Sequence, residues 1–276
     1  MFLSRVYRQA LQLCATRNYA RFMHAESGKC AINNVELYYE KVGDGRKVLL
    51  CLPGALGSTR SDFGPQLDAL TKDFTLVAVD PRGYGKSIPP KRDFPLNFFH
   101  RDVEDAVGLM KQIGYERFSI LGWSDGGICG LILAGKHPEV VESMVVWGCN
   151  ASVTEEDLKL YEAIRDVSKW NPKMRQPLEE LYGDGVQDLF SGWIDCLTRI
   201  FHEHEGNICQ EFLSKISCPT LIIHGEKDPL VPTFHPQYIH KNVKDSVLHF
   251  MPEGRHNLHL RFSEEFNKYV TDFCNV

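Results

Sequence analysis

"FSILGWSDGGICGLILAGKH", residues 118 to 137, runs from a short apolar strand pattern through Gly122-Trp123-Ser124-Asp125-Gly126 into a helical pattern. A serine flanked in this way sits on a sharp strand-to-helix turn. Its backbone is strained, so its neighbours must be small, and its hydroxyl is lifted clear of the sheet. Gly122, Gly126 and Gly127 supply that room. Ser124 is therefore a candidate nucleophile. An acidic residue, Asp125, follows it where a neutral one would serve.

Working outward, the same strand-then-helix grammar recurs. "KVLLCLP", "TLVAVD", "FSILGWS" and "SMVVWGC" are continuous apolar runs separated by helical patterns such as "NFFHRDVEDAVGLMKQIG". Apolar strands alternating with amphipathic helices predict a parallel sheet covered on both faces. Before them, from Gly28, "KCAI" and "VELYYEKV" flank Asn33-Asn34, a pair that tolerates the positive φ of a tight hairpin. After Asn150 the alternation stops, and a helical stretch rich in charge and Trp extends to about Ser214. Strand, helix and strand then resume with "CPTLIIHGEKD" and "SVLHFMPEGRH", followed by one terminal helix through "LRFSEEFNKYVTDFC". The expected layout is a core from residues 28–150 and 215–276 with a helical cap inserted over 151–214.

A serine hydroxyl needs a base to take its proton, and the base needs an acid to hold its tautomer. Asp228, in "LIIHGEKDPLVP", and His256, in "FMPEGRHNLHL", each follow a strand at its C-terminal end, where parallel sheets place their chemistry. The chain order Ser124, Asp228, His256 makes these three the candidate triad. Glu226 competes with Asp228 and reads as a solvated loop charge; His259 competes with His256 and is expected within the terminal helix, facing elsewhere. His224 and His100 read as structural histidines. For the oxyanion, "LCLPGALGSTR" ends its strand at Pro53-Gly54, so the backbone N–H of Ala55 is the expected donor beside that of Asp125. Arg82, in the glycine turn "VDPRGYGKS", is read as holding loops together. In the cap, Trp170, Phe190 and Trp193 suit either pocket walls or cap core.

Composition removes other classes. With 276 residues, net charge −5 and no basic run interleaved with aromatics, the chain lacks the surface that neutralises nucleic-acid phosphates. No apolar run reaches the ~18 residues of a membrane span, so no membrane partner is expected. Nine scattered cysteines without a C-x-x-C pair fit a reduced interior. His202 and His204 lack a further ligand at metal-site spacing, and no metal is assigned. Residues 1 to 25 carry Arg5, Arg8, Arg17 and Arg21, no acid, and apolar residues on one helical face. That make-up predicts a mitochondrial transit peptide.

The elements PG-A-LG, D-P-R-G-Y-G-K-S, G-W-S-D-G-G, G-E-K-D-P-L-V-P and G-R-H-N-L-H together resemble the α/β-hydrolase superfamily. The GWSDGG elbow in particular resembles the biphenyl hydrolase-like proteins, the valacyclovir hydrolases. The resemblance runs from about Asn33 to the C-terminus. It implies a mostly parallel eight-stranded sheet, hydrolysis of α-amino acid esters and mitochondrial residence. Ala55 occupies a position whose side chain varies in such enzymes, so only its backbone matters there. A carboxylate at Asp125 would repel hydroxide and attract an ammonium next to the scissile carbonyl, and by resemblance it is the ammonium anchor. A charged hydrogen bond adds ~1.5 to 3 kcal/mol, whereas merely stabilising its helix N-terminus is worth ~0.3 to 1 kcal/mol; both effects can act together. The expected partner is a small α-amino acid ester, thioester or thiolactone, met by a monomer without a cofactor. An aminopeptidase or a carbon–carbon bond hydrolase would use the same triad, and a binding protein that had lost its chemistry would keep the fold. Dehalogenases and epoxide hydrolases need an aspartate at position 124 and are set aside.

Overall fold

The structure, a computed structural model, describes residues 25–275. The expected transit peptide therefore lies outside the described residues, save for Ala25. Strand β1 (Ala25–Ile32) pairs antiparallel with β2 (Val35–Val42), in register from Ala25 opposite Val42 to Ile32 opposite Val35. The turn between them is made by Asn33 and Asn34, with φ of 46° and 64°, the conformation a two-residue hairpin requires. Strand β1 starts three residues before the expected Gly28 and takes in Ala25. Its extension is held by polar contacts that apolar patterning does not register: Tyr39 Oη donates to Glu26 Oε1 at 2.8 Å, and Lys41 pairs with Glu26 at 2.5 Å.

The remaining strands are β3 (Lys47–Leu52), β4 (Phe74–Val79), β5 (Phe118–Trp123), β6 (Val141–Trp147), β7 (Thr220–Gly225) and β8 (Val247–Met251). Together the eight form one sheet in the order β1-β2-β4-β3-β5-β6-β7-β8. Only β2 runs against its neighbours; every pairing from β4 to β8 is parallel. Alternate side chains of each strand feed separate cores, as the two-residue period dictates. Leu50, Leu52, Val77 and Val79 face α2 (Phe98–Gln112) and α3 (Asp125–Lys136). Leu49, Cys51, Leu76 and Ala78 face α1 (Thr59–Ala69) and the C-terminal helix. Both faces are thus covered, which explains why the strands read as unbroken apolar runs.

Between β6 and β7 lie four helices: α4 (Glu155–Ala163), α5 (Pro172–Tyr182), α6 (Val186–Glu203) and α7 (Gln210–Leu213). The two ends of this insertion are stitched together. Ser152 bridges Asn207, the Val153 N–H donates to Gly206 O at 2.7 Å, and the Cys209 N–H donates to Ala151 O at 3.0 Å. After α8 (Phe234–Asn242) and β8, the expected single terminal helix is two: α9 (Leu258–Arg261) and α10 (Ser263–Cys274), broken at Phe262. The reason is His259 in α9, which is buried and clamped on both ring nitrogens. Trp147 Nε1 donates to its Nδ1 at 2.9 Å, and its Nε2 donates to Asp62 O at 2.9 Å. Among the described residues no helix is long and apolar enough to cross a membrane.

Candidate active site

Ser124 stands between β5 and α3 with φ 55° and ψ −120°, a conformation that costs about 1–3 kcal/mol and survives only where the surroundings impose it. They do so from both sides. The Ser124 N–H donates to Trp147 O, and the Ile128 N–H to Ser124 O, each at 3.0 Å. A Cβ on Gly126 would lie 1.9 Å from Leu52 O, and one on Gly122 would lie 2.5 Å from Gly126 O. Glycine at both positions is what lets strand, turn and helix approach this closely.

The turn delivers Ser124 to the other two expected residues. Ser124 Oγ lies 3.1 Å from His256 Nε2, and His256 Nδ1 lies 2.9 Å from Asp228 Oδ2. An ionised carboxylate only accepts, so the Nδ1–H points at Asp228 and Nε2 is left to receive the serine proton. The Asp228 side chain is 1% exposed. Its Oδ1 accepts from the N–H groups of Leu230 and Val231 at 2.8 and 3.1 Å. Burial alone would raise its pKa, but the charge and hydrogen bond of His256, with the Leu230 N–H, hold the carboxyl below its ordinary value. Glu226 is exposed, as a loop charge should be. His224 is buried, donates from Nε2 to Val231 O at 3.1 Å and is held below its ordinary pKa by burial. His259 is pushed down to about 3 by burial, so it is neutral.

Asp125 is the first residue of α3, so its N–H has no acceptor within the helix. Its side chain is 7% exposed, and Oδ2 accepts from Trp193 Nε1 of the cap at 2.9 Å. Burial raises the carboxyl to about 7, against the opposing pull of the Arg92 charge and the Trp193 hydrogen bond. Arg92 itself is bound to Asp102 through both terminal nitrogens, at 2.8 and 2.6 Å. Among the described residues no cation forms an ion pair with Asp125. The loop carrying Ala55 lies against the nucleophile: a Cβ on Gly54 would stand 3.3 Å from Ser124 Cβ. Its shape is fixed by Asp62 Oδ2, which accepts from the Gly54 N–H at 2.9 Å, and by Tyr182 of the cap, which donates to Leu56 O at 2.9 Å. Leu56 has φ 60°, a left-handed conformation that such clamps hold in place.

Arg82 ties loops as expected, binding Asp105 of α2 at 2.7 and 2.8 Å and Asn33 O at 3.3 Å. His100 packs on Phe212 with ring centroids 5.6 Å apart. Trp170, Phe190 and Trp193 pack in a row inside the cap: Trp170 meets Phe190 edge-on with centroids 4.6 Å apart, and Phe190 stacks on Trp193 at 5.6 Å. Sequence reasoning assigned no role to Trp123, whose Nε1 donates to His256 O at 2.8 Å. Nor did it mark Gly148, where φ is 57° and a Cβ would lie 3.2 Å from the His256 ring. The signal for Trp123 was present in the motif itself; that for Gly148 was a glycine directly after a strand.

Comparison with known proteins agrees with this geometry. Residues 47–183 match the family described as alpha/beta hydrolase fold. The chain is 56% identical to the serine hydrolase BPHL of Homo sapiens over 249 residues, covering 90% of this chain and 86% of that protein. The same figures hold for the serine hydrolase BPHL of Mus musculus. An esterase of known structure from Exiguobacterium antarcticum superimposes with a TM-score of 0.74 at 21% identity, covering 91% of this chain and 100% of that one. A Ser124 elbow at the C-terminal edge of a mostly parallel eight-stranded sheet, and identity of this extent, lead to one conclusion: the chain belongs to the α/β-hydrolase family and, within it, to the biphenyl hydrolase-like serine hydrolases.

Proposed function

We propose that this serine hydrolase cleaves esters of α-amino acids, with Asp125 holding the substrate ammonium. The observation that carries the proposal is a buried carboxyl next to the nucleophile, paired with no cation among the described residues and hydrogen-bonded to a neutral indole. A buried charge without a counter-ion is costly. An ammonium on the carbon next to the scissile carbonyl would supply that counter-ion at the moment of binding. Amino acid thioesters and thiolactones present the same ammonium and carbonyl and belong to the same substrate class.

The reaction runs in two steps. Ser124 Oγ attacks the carbonyl carbon as its proton passes to His256 Nε2, and the developing oxyanion is received by the N–H groups of Ala55 and Asp125. The carbon–oxygen bond to the alcohol breaks, and the alcohol leaves with the proton from His256. Water, deprotonated by the same nitrogen, then attacks the acyl-enzyme and releases the amino acid and Ser124. Asp228 stays ionised throughout and stabilises the imidazolium.

The test compares kcat/KM for valine esters with a free and an acetylated amine, in the parent and in Asp125→Asn. The expected result is a preference of roughly 10- to 150-fold for the free amine, lost in the variant. A parent without that preference overturns the proposal. A mitochondrial location is proposed from the arginine-rich, acid-free residues 1–25. Fusing them to a fluorescent reporter should send it to mitochondria, and a cytosolic reporter would refute the assignment.

A further inference from the structure

Asp125 faces two polar neighbours of different kinds, and the difference matters. Arg92 is the nearby cation, but its terminal nitrogens are engaged by Asp102 Oδ1 and Oδ2, and one of them also by Arg82 O at 2.9 Å. Asp102 therefore balances Arg92, and the charge of Asp125 is left over. Trp193, in contrast, donates a hydrogen bond to Asp125 Oδ2 without bringing a charge. An indole N–H can only donate and does not titrate. It stabilises the ionised carboxylate and fixes its orientation while leaving its negative charge for a ligand. A lysine or arginine in its place would pair with the carboxylate and compete with any incoming ammonium.

The N–H is itself held in place. The Trp193 ring stacks on Phe190 at 5.6 Å with an interplanar angle of 16°, and meets Tyr161 at 5.0 Å and 60°. Trp193 is 7% exposed and sits on the buried stripe of α6, so the indole has little freedom to swing away. From this arrangement we infer that Trp193 is a positioning residue for substrate selection: through its indole N–H it sets the Asp125 carboxylate to receive the ammonium, and so makes the cap part of amine recognition. The inference rests on the ammonium reading given above and extends it to a residue 68 positions away in sequence.

The decisive variant is Trp193→Phe, which keeps a ring in the stack and deletes the N–H. Its ratio of kcat/KM for free-amine over acetylated valine ester should fall at least about tenfold, chiefly through KM of the amine ester. Phe190→Leu keeps the N–H and the Tyr161 contact while loosening one face of the stack, and should lose clearly less of the ratio than Trp193→Phe. If the Trp193→Phe ratio equals that of the parent, or Phe190→Leu loses as much, the inference is overturned. A parent with no amine preference overturns the ammonium reading itself, which separates the two failures. A second measurement needs no Trp193 variant. When valinol, an unreactive α-amine, is titrated into the parent, one of the four indole N–H resonances should shift, and none should in Asp125→Asn. Valinol binding that moves no indole signal in the parent also overturns the inference.

Discussion

Asp125 joins the role proposed for it in recognition to an instability of the fold. Burial lifts its carboxyl to about 7 from an ordinary value of 3.8. Because the folded pKa is the higher one, its protonated form favours the fold below pH 3.8, and that contribution is lost as pH rises through 7. Asp125→Asn should therefore be the more stable protein at pH 8, by up to ~4 kcal/mol in urea melts, and no more stable than the parent near pH 3. An asparagine oxygen can still accept from Trp193, so the gain would come from the deleted charge. Under the proposed ammonium role, the same pKa shapes catalysis. The preference for free amine over acetylated amine should rise with pH through about 7 as Asp125 ionises. It should then fall as the substrate amine deprotonates near ~8, and a flat ratio would remove Asp125 from recognition. Asp228→Asn leaves His256 free to adopt the wrong tautomer, so kcat should drop by roughly 10⁴ with KM little changed.

At the level of elements, the elbow was legible because its signals are contiguous, running from the strand that starts at Phe118 through Ser124 into the helix that starts at Asp125. A strand, glycines around Ser124 and a helix are local signals, and each has a steric cause visible in the contacts of Gly122 and Gly126. Gly126→Ala would drive a methyl into Leu52 O of β3, so the variant should give little folded protein, measured as yield and thermal transition. Asp228 and His256 were found the same way, each on the loop after a strand. The start of β1 and the break at Phe262 were not legible. One is set by Glu26 reaching Tyr39 and Lys41, the other by His259 bonding Trp147 and Asp62. These polar partners come from other strands and helices, and hydropathy patterning has no term for them. Tyr182 belongs here too. It ends α5, a helix without a buried residue, yet its hydroxyl donates to Leu56 O and accepts from the Gly85 N–H at 3.0 Å. Tyr182→Phe should slow fluorophosphonate labelling of Ser124 several-fold, because the loop carrying Ala55 loses its outer clamp.

For the whole molecule, the question is what seats the cap on the core, since the chain crosses between them only at the neck near Ser152 and Asn207. Trp193 and Tyr182 reach down to the elbow and the loop after β3. The third tie is Asp157 of α4 with His235 of α8. Both are buried, and His235 Nε2 stands 2.9 Å from each oxygen of Asp157. Asp157 also accepts from the N–H and Oγ1 of Thr154, each at 2.7 Å, and so caps its own helix. One carboxylate thus starts the first cap helix and fastens it to the core. Replacing His235 by Ala would leave that carboxylate buried with only the Thr154 bonds, and losing one partner of a buried pair costs about 3–5 kcal/mol. The remaining bonds to Thr154 place the expected loss at the lower end of that range, read from the urea midpoint at constant slope. Asp157→Asn should cost less than His235→Ala, because an amide still accepts from Thr154 and carries no stranded charge. The double variant Asp157→Asn with His235→Ala should be less destabilised than the sum of the singles. Strict additivity would mean that the two side chains act independently and that this pair does not fasten the cap to the core as a unit.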